Sequence, residues 1–151
     1  MNGAGNDFIL IDNRKIRLQL SQEQIQNICD RQRGVGADGI MLLREAIGEA
    51  DLGWDFFNKD GSEGEMCGNG ARCFARFAQS KLDGQDSISF ETLAGTIQAR
   101  LEGENATINL TPPKDLRISD HISTSSGELE IHSVNTGVPH AVLFVEDADK
   151  A

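Results

Sequence analysis

Apolar positions in this chain fall into short runs separated by turn residues, and two stretches change from alternation to helical spacing. Residues 8–11, Phe-Ile-Leu-Ile, form a compact run closed by Asp12-Asn13, which predicts a strand. Ser21 stands as an N-cap with Gln24 as its capping-box partner, and Ile25, Ile28 and Cys29 make an apolar stripe. A helix is therefore predicted over 22–32, ended by Gly34. Strands follow at 40–43 and 54–57, with Asn58-Lys59-Asp60-Gly61 as the turn after the second. From Ala71 onward Phe74, Phe77, Ala78 and Leu82 recur at helical spacing, and Cys73 and Ala75 widen the apolar surface. Only Arg72, Arg76 and the last turn are polar. A helix this apolar is expected to be central and largely wrapped by sheet.

Beyond it, 87–91, 96–101 and 106–110 alternate, with turns at Gly95 and Gly103-Glu104-Asn105, and read as a meander. Thr111-Pro112-Pro113 breaks the pattern, because neither proline can donate to a sheet ladder. That break is read as a domain boundary, giving segments 1–111 and 112–151. In the second segment, strands are predicted at 129–134 and 141–145, flanking Asn135-Thr136-Gly137-Val138-Pro139-His140. His121 is placed in a polar loop, His132 in a strand, and neither is given a role.

The charge balance narrows the partners. Twenty-four Asp and Glu against 14 Lys and Arg leave a net charge of −10, the wrong sign for a nucleic-acid backbone or an anionic membrane. No apolar run has the length of a membrane span and the N-terminus lacks the order of a secretory signal, so the cytoplasm is the expected compartment. Three cysteines, Cys29, Cys67 and Cys73, are an odd number and argue against a disulfide framework.

Two glycine-rich stretches bear on chemistry. Gly34-Val35-Gly36-Ala37-Asp38-Gly39 has the spacing of a dinucleotide-binding fingerprint, but that fingerprint needs a strand before it and a helix after it. Here the order is reversed, and a tight turn is the reading adopted. Cys67-Gly68-Asn69-Gly70 instead opens a helix. The first turn of a helix offers free N–H groups and the positive end of the dipole, and glycines at 68 and 70 are expected to let an anion such as a carboxylate approach. A helix N-terminus also favours the thiolate of a cysteine beside it. Cys29 and Cys73 lie on apolar helix faces and read as core. No metal site is expected, since five residues separate Cys67 from Cys73 and no histidine is near in sequence. A hydrolase-type thiol would want a histidine partner, for which His140 is the candidate.

Asn2-Gly3-Ala4-Gly5-Asn6-Asp7-Phe8, Arg33-Gly34-Val35-Gly36-Ala37-Asp38-Gly39, Asn58 with Asp60-Gly61-Ser62, Cys67-Gly68-Asn69-Gly70-Ala71-Arg72-Cys73, and Gly137 with Pro139-His140 occur in that order. Together they resemble the diaminopimelate epimerases, cofactor-independent amino-acid epimerases of lysine and peptidoglycan-precursor biosynthesis. Asn2 departs from the pattern, where a histidine is usual. So does Val138, where an asparagine is usual, and Asn135 is a candidate to supply that contact. Gly39 stands where some relatives place a side chain near the substrate. Proline racemases resemble the same group but usually carry a histidine at the position of Asn69.

The resemblance implies an α+β fold in which a mixed, curved sheet wraps the helix beginning near Asn69. It implies that Cys67 is one of two catalytic thiols, that Asn6 and Asn58 hold substrate, and that the backbone at Gly68 and Asn69 binds the reacting carboxylate. His140 matches a histidine that tunes the thiols, and no cofactor is implied. The family has a second half carrying the other thiol in a Cys-Gly-Ser-Gly stretch. On that pattern the chain is read as an N-terminal domain, 1–111, clipped by a few residues at its start, with the opening strands of the second domain at 112–151. The expected partners are a small-molecule substrate and the C-terminal half of the same enzyme, with a homodimer left open. Three other readings stand beside this one: a carboxylate-binding module without inversion, a proline-racemase-like enzyme, and an isomerase on the phenazine-biosynthesis scaffold. The last does not use paired thiols, so Cys67 counts against it.

Overall fold

The computed structural model describes residues 1–110, 112–125 and 127–148. Thr111, the first residue of the predicted break, lies outside the described residues. The chain divides into two units, Met1–Leu110 and Thr111–Ala151.

The first unit is a seven-stranded sheet with two helices. Its strands are β1 (Asn2–Gly3), β2 (Asn6–Asp12), β3 (Gly39–Arg44), β4 (Leu52–Asn58), β5 (Ser87–Thr92), β6 (Gly95–Glu102) and β7 (Asn105–Ile108), adjacent in chain order. Two pairs, β2 with β3 and β4 with β5, are parallel and the rest antiparallel. A parallel pair needs a crossover, and a helix fills each: α1 (Gln22–Cys29) after β2, and α2 (Gly68–Gln79) after β4.

The helices cover opposite faces. Ile25 and Cys29 of α1 pack with Ile40 and Leu42, while Phe74, Ala75 and Ala78 of α2 pack with Met41, Leu43, Trp54 and Phe90. Strand β3 is thus buried on both faces, which is why residues 40–43 read as an unbroken apolar run. Helix α2 touches β1, β2 and β3 as well as β5, β6 and β7, so both edges of the mixed sheet curl in to meet it. Phe74 is fully buried, with its ring 4.9 Å from Phe90 and 5.6 Å from Trp54. No helix among the described residues is long and apolar enough to cross a membrane.

Several boundaries differ from the sequence reading. Helix α1 has the full capping box at Ser21 and Gln24 but stops at Cys29 rather than at residue 32. Asp30 turns extended, and its carboxylate accepts the N–H groups of Gln32 and Arg33, starting a turn that competes with further helix. Gly34 therefore does not terminate the helix. It lets the turn fold back, with the N–H groups of Val35 and Gly36 donating to Ile28 O at 2.9 and 3.1 Å. Short β1 was not predicted, and β7 closes two residues before the predicted 110.

The second unit is an antiparallel sheet in the order β10–β9–β8, formed by β8 (Lys114–Thr124), β9 (Gly127–Asn135) and β10 (Pro139–Val142). Strand β8 was missed, and His121 lies in it rather than in a loop. Its register slips twice, between Lys114 and Arg117 and between Arg117 and Asp120, with Asp115 and Ser119 at positive φ. These irregularities break the alternation that marks a strand. The predicted strand at 141–145 begins earlier, since Pro139 and His140 already pair with Asn135 and Val134.

A Cβ built at Gly34 would lie 2.1 Å from Asn27 O and 2.6 Å from Ile28 O, both backbone atoms that cannot step aside. Gly34→Ala is expected to cost about 1–3 kcal/mol, the range for forced overpacking. Urea denaturation of the two proteins measures it, and an unchanged midpoint would show that the turn adapts freely.

Candidate functional site

Cys67 is the N-cap of α2, in extended conformation at φ −143° and ψ 112°. Its Sγ accepts the Gly70 N–H at 3.4 Å, and its carbonyl accepts the Ala71 N–H at 2.7 Å. The N–H groups of Gly68 and Asn69 lack an intrahelical acceptor, as in any first helical turn, and take no other partner among the described residues. Space is available beside them, because a Cβ at Gly68 would meet nothing nearer than Leu110 Cδ2 at 3.8 Å. Gly70 differs from its expected role. A Cβ there would lie 2.0 Å from Met41 Cε and 3.3 Å from Phe8 Cζ, so its bareness serves helix-to-sheet packing and not ligand approach.

A chain of polar side chains joins this turn to the start of β2. Asn69 Nδ2 donates to Asn6 Oδ1 at 2.9 Å, while the Arg72 guanidinium donates to Asn69 Oδ1. Asn6 Nδ2 donates to Asp38 Oδ2 at 3.5 Å. Asp38 also accepts the Asp7 N–H at 3.0 Å and Arg31 Nη2 at 3.2 Å, and Arg31 reaches Asp7 at 2.9 Å. The Asp7 backbone N–H, followed by Arg31 and Asn6, holds the Asp38 carboxyl below the usual carboxylate range against the opposing cost of burial.

Asn58 ends β4 opposite Gly39, which in turn pairs with Phe8, so Asn58 lies at the same end of the sheet as Asn6, two strands away. Its amide donates to Ser62 Oγ at 3.1 Å. At Gly39 a Cβ would fall 2.7 Å from Phe57 O and 2.8 Å from Phe56 Cε2. The Phe56 ring thus occupies the space that a side chain at this position would need.

His140 belongs to the second unit. Its Nδ1 lies 2.7 Å from Val138 O, beside a cavity of about 150 Å³ whose walls include Asp115, Arg117 and Asn135. The Asn135 side-chain oxygen accepts the Gly137 N–H at 2.9 Å and so serves its own turn. A cavity of about 570 Å³ lies between β1 and β7, walled by Gly3, Arg72, Cys73, Arg76, Glu102 and Thr107. Cys67 does not line it.

The structure brings Cys67, Gly68, Asn69 and Asn6 together and places Asn58 at the same sheet end. The sequence reading overlooked Asp38, Arg31 and Arg72. Asp38 lies inside the glycine-rich stretch explained as a turn, and a lone carboxylate between glycines was the available signal.

The profile of the diaminopimelate epimerase family matches residues 1–115. The diaminopimelate epimerase of Hydrogenobaculum sp. is 42% identical over 156 residues, covering 96% of this chain and 56% of its own length. That of Nitrosospira multiformis is 40% identical, covering 100% and 59%. The chain thus spans somewhat over half the length of these relatives. Among solved structures, a phenazine biosynthesis protein of the PhzF family from Bacillus anthracis aligns with a TM-score of 0.66 at 20% identity, over 99% of this chain and 53% of its own. That likeness concerns the fold.

The three thiols differ in environment. Cys29 and Cys73 are each 4% exposed, and burial pushes both thiols up from the ordinary range, with the Asp38 charge adding to the effect at Cys29. Cys67 is half-buried at a helix mouth. Iodoacetamide near neutral pH should therefore label Cys67 first, with Cys29 and Cys73 reacting only as the protein unfolds. Peptide mapping that shows equal labelling of all three in the native protein would overturn this order.

Proposed function

The chain belongs to the diaminopimelate epimerase family, and we propose on that premise that it supplies one thiol and the carboxylate cradle of a cofactor-independent epimerase. The substrate on this reading is diaminopimelate, interconverted between its LL and meso forms. The observation that carries it is Cys67 capping α2 beside the free N–H groups of Gly68 and Asn69, with Asn6 bonded to Asn69.

The chemistry follows from stereochemical need. Inverting a carbon by proton transfer takes a base on one face and an acid on the other. Cys67 as thiolate takes the α-proton and becomes a thiol. The electron pair left on the α-carbon spreads onto the carboxylate, where N–H donors and the helix dipole stabilise the developing charge. A second thiol then delivers its proton to the opposite face, and the carbon–hydrogen bond reforms inverted. In the reverse direction the two sulfurs exchange roles.

Cys29 and Cys73 are poor candidates for the second sulfur, since each lies inside a hydrophobic cluster. The second thiol on this reading belongs to a second half of the enzyme, and His140 tunes the pair. Asn6 and Asn58, at one end of the sheet, hold substrate on this reading. Asn69 in place of a histidine favours diaminopimelate over the proline-type substrates.

The chain alone should not convert LL- to meso-diaminopimelate at a useful rate, whereas adding a relative's C-terminal half should restore conversion. Cys67→Ser in the complemented enzyme should lower it by roughly 10²–10⁴-fold, the range for loss of a positioned acid–base group. Deuterium incorporation at the α-carbon, measured alongside, separates an epimerase from a module that binds without proton transfer. Conversion by the chain alone, or full activity in the Ser variant, would overturn the two-thiol mechanism.

A further inference from the structure

Asparagine amides are reversible parts, since oxygen and NH₂ have nearly the same shape and only their hydrogen-bond partners decide which way round they sit. Two such amides, Asn6 and Asn69, stand in series at the mouth of α2. The groups at either end of the series are not reversible. An ionised Asp38 carboxylate can only accept, and the Arg72 guanidinium can only donate.

The consequence is a single allowed polarity. Asp38 Oδ2 must face the NH₂ of Asn6, and the Asn6 oxygen must then face the NH₂ of Asn69, as it does at 2.9 Å. The Asn69 oxygen is left for Arg72, which takes it. Turning either amide over sets oxygen against oxygen or NH₂ against NH₂ on one side and breaks the bond on the other. The acceptor end is itself firmly held. Asp38 is fixed by the Asp7 N–H and by Arg31, and its backbone bonds to Asp7 O at 2.8 Å and to the Lys59 N–H at 3.1 Å, tying it to the elements that carry Asn6 and Asn58.

We propose that Asp38 and Arg72 are positioning residues that lock the amides of Asn6 and Asn69 in one orientation, leaving one N–H of each uncommitted for a carboxylate-bearing ligand. This rests on the reading of the α2 mouth as the carboxylate site. A carboxylate is acceptor-only, so it is recognised by an edge that offers N–H groups and repelled by one that offers oxygen. The two ends of the series thereby set which edge the two amides present to the ligand.

Side-chain amide resonances test the lock in the ¹⁵N-labelled chain, with Asn6→Ala and Asn69→Ala used to assign them. In the wild type the bonded N–H of each pair should exchange with water more slowly than its uncommitted partner, and both pairs should lie apart in shift from those of exposed asparagines such as Asn105. Arg72→Lys keeps a donor-only group and should preserve both pairs. Arg72→Gln is itself reversible and should move the Asn69 pair toward the exposed values, as Asp38→Asn should move the Asn6 pair. In the complemented enzyme, Arg72→Gln and Asp38→Asn should raise KM by about 3–10-fold with little change in kcat, the effect of one mis-set hydrogen bond on ligand binding. Arg72→Lys should stay close to wild type.

Equal behaviour of the Lys and Gln variants, or unaltered amide pairs in Asp38→Asn, would overturn the proposal. If the complemented enzyme does not epimerise at all, the epimerase reading fails while the resonances still decide the lock.

Discussion

The close approach of α2 to β2 and β3 at Gly70 sets the position of everything at the site. Met41 and Phe8 lie where any side chain at Gly70 would stand, so the first turn of the helix sinks onto the sheet at that point. Cys67, three residues earlier, is consequently held at the sheet end where β2 and β3 begin and β4 finishes. Gly3 reinforces the seating from the edge strand, since a Cβ there would lie 2.7 Å from Asn69 O and 2.8 Å from Cys73 Sγ. With both contacts in place, Asn69 comes within hydrogen-bond reach of Asn6 and the polar series can form. The rest of the helix then supplies the stability, through Phe74, Ala75 and Ala78, all fully buried. At about 25 cal/mol per Å² of apolar surface removed from water, side chains such as Phe74 anchor the turn far more strongly than its own hydrogen bonds do.

How much of this was legible in the sequence depended on whether the controlling contact was local. The α2 helix was readable because its apolar residues recur at its own period, and the α1 capping box because Ser21 and Gln24 satisfy each other within one turn. The parallel pairing of β2 with β3 left only an indirect trace, an apolar run at 40–43 buried on both faces. Strand β8 was not readable. Leu116, Ile118 and Ile122 alternate, but Asp115 and Ser119 at positive φ and two shifts of register interrupt the count.

The site was legible to the same limit. Cys67 stood out as a thiol among glycines that core packing does not explain, and Asn6, Asn58 and Asn69 entered through resemblance alone. From sequence, Gly68 and Gly70 are equivalent bare positions, yet a Cβ would fit at the first with ordinary contacts to Leu110 and Arg72 and would collide with Met41 at the second. Asp38 and Arg72 escaped notice because each acts across a long separation or through another side chain. Asp38 lies 32 residues from Asn6, and Arg72 bonds the Asn69 side chain with its guanidinium bordering Gly68.

The two helices also show different uses of a first turn. In α1 the Ser21 hydroxyl accepts the Gln24 N–H and the Ser21 N–H donates to Gln24 Oε1 at 2.9 Å, so two orphan donors are satisfied. In α2 the cap is a sulfur, a weak acceptor at 3.4 Å from Gly70 N, with no acidic residue in the first turn to complement the dipole. Replacing a good oxygen cap commonly costs a helix about 0.5–2 kcal/mol. The helix that forms the centre of the first unit thus begins with the weaker cap and with two adjacent N–H groups left open. Local stability would favour Ser, Asp or Asn at position 67 and a carboxylate within the next turn. An acidic side chain in that turn would compete with an incoming carboxylate for the same donors. The absence of such a residue leaves the turn under-satisfied on its own, with its donors open as the proposed carboxylate site needs.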